Sequence, residues 1–153
     1  MPPLVSILIP VYNTRQWVGA AIDSALAQTW PDTEVVVLDD GSTDGSLDVV
    51  QAYAGRVRIH TQSNGGQNVS RNRLTEFSRG DWLIYLDADD ELSADAVRLK
   101  IEAAGAADAV YGSMDVCSSD LRRTRAACAF TRNPTAARTC RGTGSPNSAA
   151  ATG

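Results

Sequence analysis

Three carboxylates fall within four positions at Asp87-Ala88-Asp89-Asp90, directly after the apolar run Trp82-Leu83-Ile84-Tyr85-Leu86. Oxygen donors at that density suit a hard divalent cation such as Mn2+ or Mg2+, which takes carboxylate and phosphate oxygens together. Carboxylates about 5 Å apart repel by roughly 3 kcal/mol per pair at an effective dielectric near 20. Either one of them keeps its proton or a cation lies among them. Without its surroundings, the same cluster reads equally well as a solvated acidic turn ahead of a helix. A second acidic pair, Asp39-Asp40, closes the run Val35-Val36-Val37-Leu38, and a carboxylate there could accept hydrogen bonds from a base or a ribose. Pro10 and Tyr12 follow a third apolar run. Tyr12 offers a flat face on which a base could stack, or is a partly buried loop residue. Arg71 could reach a diphosphate, or is a surface charge. His60 is assigned no role.

The elements that must position these residues alternate. Leu4 to Pro10, Glu34 to Asp40, which ends in acids, and Trp82 to Leu86 are apolar runs with β-branched members, as expected of strands buried on both faces of a parallel sheet. Pro10 belongs at a strand end because it has no amide to give to the ladder. Between the runs lie helical patterns. Arg15–Thr29 carries Val18, Ile22, Ala25 and Leu26, with Asn13 or Thr14 as the expected cap. A shorter helix carries Leu47, Val50 and Ala54, with Ser42 or Thr43 as cap and Gly55 as terminator. A third helix runs through Val69, Leu74 and Phe77 and stops by Gly80. A fourth starts at Ser93, with Leu92 packing on Val97. Arg56 to His60 alternates and is short, the pattern of an edge strand, and Asp108 to Met114 opens a fifth strand. Strand and helix alternate four times, which predicts an α/β fold. Acids at the carboxyl ends of the strands then lie where open α/β sheets bind ligands.

Composition divides the chain at about Met114. Residues 1–114 hold 8 basic and 16 acidic residues, a net charge of −8, while 115–153 carry +4. An acidic body argues against nucleic acid as partner, since that needs a basic surface. No apolar stretch approaches the ~20 residues of a membrane span, and the expectation from Met1-Pro2-Pro3 leading into a short strand-like run is that there is no signal peptide. The expected compartment is the cytoplasm. Cys117, Cys128 and Cys140 all lie in the second piece, at spacings that fit no zinc pattern.

From Arg122 onward the chain has no Leu, Ile, Val, Met, Tyr or Trp, too little apolar area to offset ordering costs of about 1–2 kcal/mol per residue. Asp115-Val116-Cys117-Ser118-Ser119-Asp120-Leu121 is also the translation of GACGTGTGCTCTTCCGATCT, a string found in common sequencing adapters. The expectation is that 115–153 is a disordered or artefactual tail and that the native reading frame ends near Met114.

Together, Val5-Ser6-Ile7-Leu8-Ile9-Pro10-Val11-Tyr12-Asn13, Asp39-Asp40-Gly41-Ser42-Thr43-Asp44, Asn64-Gly65-Gly66 with Ser70-Arg71-Asn72, Gly80-Asp81-Trp82 and Leu86-Asp87-Ala88-Asp89-Asp90 resemble family 2 glycosyltransferases, in order from residue 4 to about 112. The resemblance implies a GT-A-type (Rossmann-like), mostly parallel sheet with flanking helices over residues 1–114, the nucleotide-sugar-binding part of a truncated domain. It implies inverting transfer of a sugar from a nucleotide-diphosphate donor, usually UDP-linked, to an acceptor hydroxyl on a saccharide, lipid or protein. Pro10, Tyr12 and Asp40 would hold the base, and Arg71 would lie near the nucleotide. Asp87-Ala88-Asp89 would be the Asp-x-Asp motif, with Asp87 toward the ribose and Asp89, with Asp87 beside it, at a Mn2+ or Mg2+ ion. The parent enzyme could work at the cytoplasmic face of the membrane. Family members continue into an acceptor site with a catalytic base; nothing after Met114 matches that half, so the base is unassigned and this chain is expected to be inactive in transfer. The alternatives are a non-catalytic sugar-nucleotide-binding module, a sugar-nucleotide pyrophosphorylase, which the missing Gly-rich phosphate loop disfavours, and a phosphohydrolase with Asp87 as nucleophile.

Overall fold

The computed structural model of the chain describes residues 1–105, 109–111 and 129–132. Its elements are β1 (Val5–Val11), α1 (Val18–Leu26), β2 (Thr33–Asp39), α2 (Ser46–Gln51), β3 (Arg58–Thr61), α3 (Gln67–Phe77), β4 (Trp82–Tyr85), α4 (Ala96–Ala104), β5 (Ala109–Tyr111) and β6 (Ala129–Arg132). They build one sheet in the order β3-β2-β1-β4-β6-β5. The first four strands are parallel, with Val5 beside both Thr33 and Trp82, and β3 is the edge that its short alternating sequence predicts.

Side-chain alternation along the parallel strands splits the core into two layers. Val5, Ile7, Ile9, Val35, Val37 and Ile84 face α1, α2 and α4, which contribute Val18, Ile22, Val50 and Val97. Leu8, Val36, Leu38 and Leu83 face the other way, onto Leu74 of α3. Both faces are covered, which is why these strands are apolar throughout instead of at every second position.

The helix caps differ from expectation. Helix α1 begins at Val18 with no side-chain cap, although Val18 N–H already donates to the Thr14 carbonyl. Asn13 is engaged elsewhere: at φ +52° it turns its Oδ1 to accept from Thr43 N–H, while its own N–H donates to Ser42 Oγ. Thr14 and Arg15 N–H groups donate to Ser46 Oγ and Asp44 Oδ2. The expected caps of two helices are used instead to join the β1–α1 and β2–α2 loops. Helix α4 likewise starts directly after Asp95 and not at Ser93, though Leu92 does pack against the core cluster to which Val97 belongs. On α3, Ser70 and Leu74 are buried, whereas Val69 is exposed.

The fifth strand lies where Asp108–Met114 predicts it, but it does not pair with β4. Strand β6, within a stretch that sequence reading leaves without ordered elements, lies between them and is antiparallel to both. A four-residue strand paired on both sides needs little apolar area of its own, and apolar periodicity is blind to it. The three cysteines, the adapter-like residues 115–121 and, apart from β6, the rest of the expected disordered tail lie outside the described residues. Among the described residues no helix is long and apolar enough to cross a membrane.

Candidate functional site

The order β3-β2-β1-β4 reverses at β1: the chain moves outward through β2 and β3, then returns to β1's other side as β4. A crevice opens at such a point because the loops after neighbouring strands leave in opposite directions. A cavity of about 470 Å³ lies there, and the residues at or just after the ends of the four parallel strands contribute to it. Pro10, Val11 and Tyr12 come from β1, Asp40 from β2, Asn64 and Gly66 from the β3–α3 loop, and Asp87, Ala88 and Asp89 from the end of β4. Six of the seven residues singled out from sequence therefore line one cavity. The seventh, Arg71, touches it through Asp87.

Asp40 is 3 % exposed, yet its carboxylate is well supplied with donors. Oδ1 accepts from Gln62 Nε2 at 2.6 Å and from Gly65 N–H at 2.8 Å; Oδ2 accepts from Gly66 N–H at 2.9 Å. Burial by itself would raise its pKa, but hydrogen bonds from Gln62, Gly65, Ser70 and Gly66 outweigh it and hold the group below the usual 3.8. The loop amides that precede α3 point at this carboxylate, so the positive end of the helix favours its ionised form. The close approach depends on Gly41, where φ is +73° and an added Cβ would lie 2.9 Å from Asn64 N.

Asp39 is also buried, but on the opposite face. Its Oδ2 accepts from Ser42 N–H at 3.2 Å, and it lines no part of the cavity. Of the two acids that end β2, one therefore faces the ligand space and its neighbour holds a turn. The choice follows from strand alternation.

Arg71 answers the electrostatic question raised by the acidic cluster. Its Nη2 lies 2.8 Å from Asp87 Oδ1, and its guanidinium lies 6.0 Å from the Tyr85 ring. A cation from α3 thus neutralises part of the repulsion that sequence reading attributes to a proton or a metal. Tyr85 OH is in turn 2.6 Å from Thr75 Oγ1, which ties the ring under Arg71 to the same helix. Asp89 is exposed at the cavity wall, and its carboxylate has no partner among the described residues. Tyr12 is half exposed, with its ring free to meet a ligand. Among the described residues, no three His, Cys, Asp or Glu side chains converge into a ready-made metal cage.

Sequence reasoning missed Gln62. It follows the edge strand β3, so the rule that picked out the ends of β1, β2 and β4 applies to it equally; being uncharged, it drew no notice. Buried polar atoms without a partner among the described residues gather in this region: Thr14 Oγ1, Asp39 Oδ1, Gln62 Oε1 and Arg71 Nε. Such atoms are uncommon in folded proteins, and of these four residues Thr14 lines the cavity itself.

Comparison with known proteins bears on family and fold. The profile of glycosyl transferase family 2 matches residues 6–150. The chondroitin synthase of Pasteurella multocida (strain Pm70) is 45% identical over 100 residues, which are 63% of this chain and 10% of that protein. The chain thus spans about a tenth of the length of that relative. The structure of S. aureus TarS 1–349 in complex with UDP-GlcNAc superposes with a TM-score of 0.68 at 21% identity, covering 85% of this chain and 45% of that one. The mannosyltransferase PcManGT from Pyrobaculum calidifontis, in complex with GDP-Man and Mn2+, gives 0.60 at 22% identity, over 67% of this chain and 32% of that one. At these identities the likeness is one of fold, and that fold is GT-A.

Proposed function

The chain belongs to glycosyl transferase family 2, and from that premise we propose that its cavity binds a UDP-linked sugar as the donor of an inverting, metal-assisted transfer. The observation that carries this reading is the meeting of an exposed aromatic ring, a hydrogen-bonded buried carboxylate and an acidic strand end in one crevice. In this reading Tyr12 stacks on the base, Pro10 shapes the floor beneath it and Asp40 accepts a hydrogen bond from its N–H edge. Asp87, steadied by Arg71, meets the ribose, and Arg71 carries positive charge toward the diphosphate. Ala88, 3 % exposed, lets the backbone approach the ligand closely.

The residues fit a divalent cation held partly by the ligand. Asp89 brings an unshared carboxylate and Asp87 a second one that Arg71 engages on one oxygen. One or two carboxylates, with phosphate oxygens and water completing the shell, is the usual arrangement for Mg2+ beside phosphates. When bound, such an ion neutralises charge on the departing nucleoside diphosphate. The parent enzyme would then exchange the bond from the anomeric carbon to phosphate for one to the acceptor oxygen, whose proton passes to a base. The acceptor is a saccharide, lipid or protein hydroxyl.

Calorimetry of UDP binding with and without Mn2+, on the wild-type chain and on Asp89→Ala, tests the reading. Binding that Mn2+ strengthens in wild type only supports it; equal affinities for both proteins with Mn2+ present refute the metal assignment. The donor-binding part is proposed to be residues 1–114. The family profile runs to residue 150 and β6 lies within 115–153, whereas residues 115–121 read as adapter. Resequencing the source DNA across codons 112–123 separates a native strand from foreign sequence.

A further inference from the structure

Helix α4 has no side-chain cap of its own, and its first turn is closed from another element. Val97 N–H donates to Gln28 Oε1 at 3.0 Å, and Gln28 lies just past the end of α1. The other end of the same amide donates to the Ser93 carbonyl at 2.9 Å and to the Ser24 carbonyl, in the last turn of α1, at 3.0 Å. These partners determine the amide's orientation, since two carbonyls need its N–H groups and one N–H needs its oxygen. Two neighbours extend the contact. Leu92 N–H donates to Ser24 Oγ at 3.0 Å, and Thr29 N–H donates to the Ala94 carbonyl at 2.9 Å. One side chain thus joins the end of α1 to the start of α4, with the segment between β4 and α4 pinned along it.

That segment continues the acidic strand end. Asp89 is exposed and its carboxylate has no partner among the described residues, so its place is set by the backbone on either side. Before it, Leu86 N–H donates to the Leu8 carbonyl, Arg71 holds Asp87, and Ala88 is buried in the core layer that α1 covers. After it, Leu92 and Ser93 are tied to Ser24 and Gln28. We propose that Gln28 is a positioning residue for Asp89: from outside the cavity it fixes the segment after β4, and so holds that carboxylate where a divalent cation on the diphosphate meets it. The inference rests on the donor reading, in which Asp89 meets the metal. A metal ligand has to be held to within about 0.5 Å, and groups that orient it set metal affinity without touching the ion. Gln28 lies outside the cavity lining, so its effect passes through the loop. Tyr12, Asp40 and Asp87 are held by other elements, and their part in nucleotide binding is independent of it.

The test is calorimetry of UDP on the whole chain with and without Mn2+, read as the factor by which Mn2+ raises affinity. In wild type that factor is expected to be about tenfold or more. Gln28→Met keeps the length of the side chain and removes its three hydrogen bonds. The factor should then fall to about threefold or less, while UDP affinity without Mn2+ stays within about twofold of wild type. Lowered stability alone would not give this split, because a smaller folded fraction weakens both affinities equally. Ser24→Ala removes the acceptor for Leu92 N–H with Gln28 in place, and should lower the factor by about threefold. Ser24→Thr, which keeps the hydroxyl, should restore it. That pair carries the test if Gln28→Met does not fold. An unchanged factor in Gln28→Met or in Ser24→Ala, or equal losses of affinity with and without Mn2+, overturns this inference and leaves the donor reading standing. A wild type whose UDP affinity Mn2+ does not change overturns the metal assignment, and the inference with it. Failure of wild type to bind UDP at all overturns the donor reading itself.

Discussion

Replacing Gly80 by Ala tests the link between the far end of the sheet and the site. Gly80 leads into β4 at the end of the sheet opposite the cavity. An added Cβ would lie 2.6 Å from both Ser6 N and Ser6 Oγ and 2.9 Å from the Leu4 carbonyl oxygen. Two of these are backbone atoms of β1 and its approach, so no side-chain rotation relieves the overlap. The same glycine donates its N–H to Ser6 Oγ at 2.8 Å, and Ser6 Oγ donates to Glu34 Oε1 at 2.6 Å. Glu34 also accepts from Arg79 N–H and pairs with Arg58. Overpacking of a tight site costs about 1–3 kcal/mol, and loss of one buried hydrogen bond adds about 1 kcal/mol. The expected destabilisation is about 2–4 kcal/mol, a large share of the roughly 5–15 kcal/mol that a domain commands. Urea unfolding followed by Trp fluorescence reads it directly. With a slope of about 1–2 kcal/mol per molar for a chain of this size, the midpoint should fall by more than about 1 M at unchanged slope. A fall of less than about 0.3 M would refute the close packing of β4's entry on β1.

Three further outcomes follow from the same geometry. His60, the chain's one histidine, stacks on Phe77 with ring centroids 3.9 Å apart. Burial first, and Arg58 second, lower its pKa below 6.5. Between the folded value and 6.5 the unfolded chain holds more protons, so stability should rise with pH there and be lost as pH falls below 6.5. His60→Phe should abolish that step in urea midpoints, and an NMR titration placing His60 above 6.5 would contradict it. Asp89→Ala should leave the unfolding midpoint within about 0.5 kcal/mol of wild type, because its exposed carboxylate has no partner among the described residues. Asn13→Ala should destabilise by about 1–2 kcal/mol in urea unfolding, through loss of the Oδ1 acceptor for Thr43 N–H and strain at positive φ. Asn13→Gly, which relieves the strain alone, should recover part of that loss.

Several features were legible from the chain alone. The strands at Val5–Val11, Thr33–Asp39 and Trp82–Tyr85 could be read because burial on both faces writes an unbroken apolar run. Acids at their ends then had to share one rim of a parallel sheet, whatever the details. Cap residues were read less well, because Asn13, Ser42 and Ser93 can each satisfy either a helix end or a neighbouring loop. The choice is made by whichever donor folding brings near. Strand β6 could not be read, since four residues with a single Phe leave no periodicity.

What the sequence by itself determined is the set of groups at the site: an aromatic, two acidic strand ends and an arginine one helix before the second of them. Those follow from local patterns over a few residues. Tertiary structure alone decided what each group is free to do. Asp40 meets Gln62, Gly65 and Gly66 across 22, 25 and 26 positions of chain, and Arg71 meets Asp87 across 16. Hydrogen bonds hold to a few tenths of an ångström, and no local pattern encodes contacts between segments so far apart. The fold therefore engages Asp40 in hydrogen bonds from Gln62, Gly65 and Gly66 and leaves the Asp89 carboxylate without a partner among the described residues, although in the sequence both are simply acids at the end of a strand.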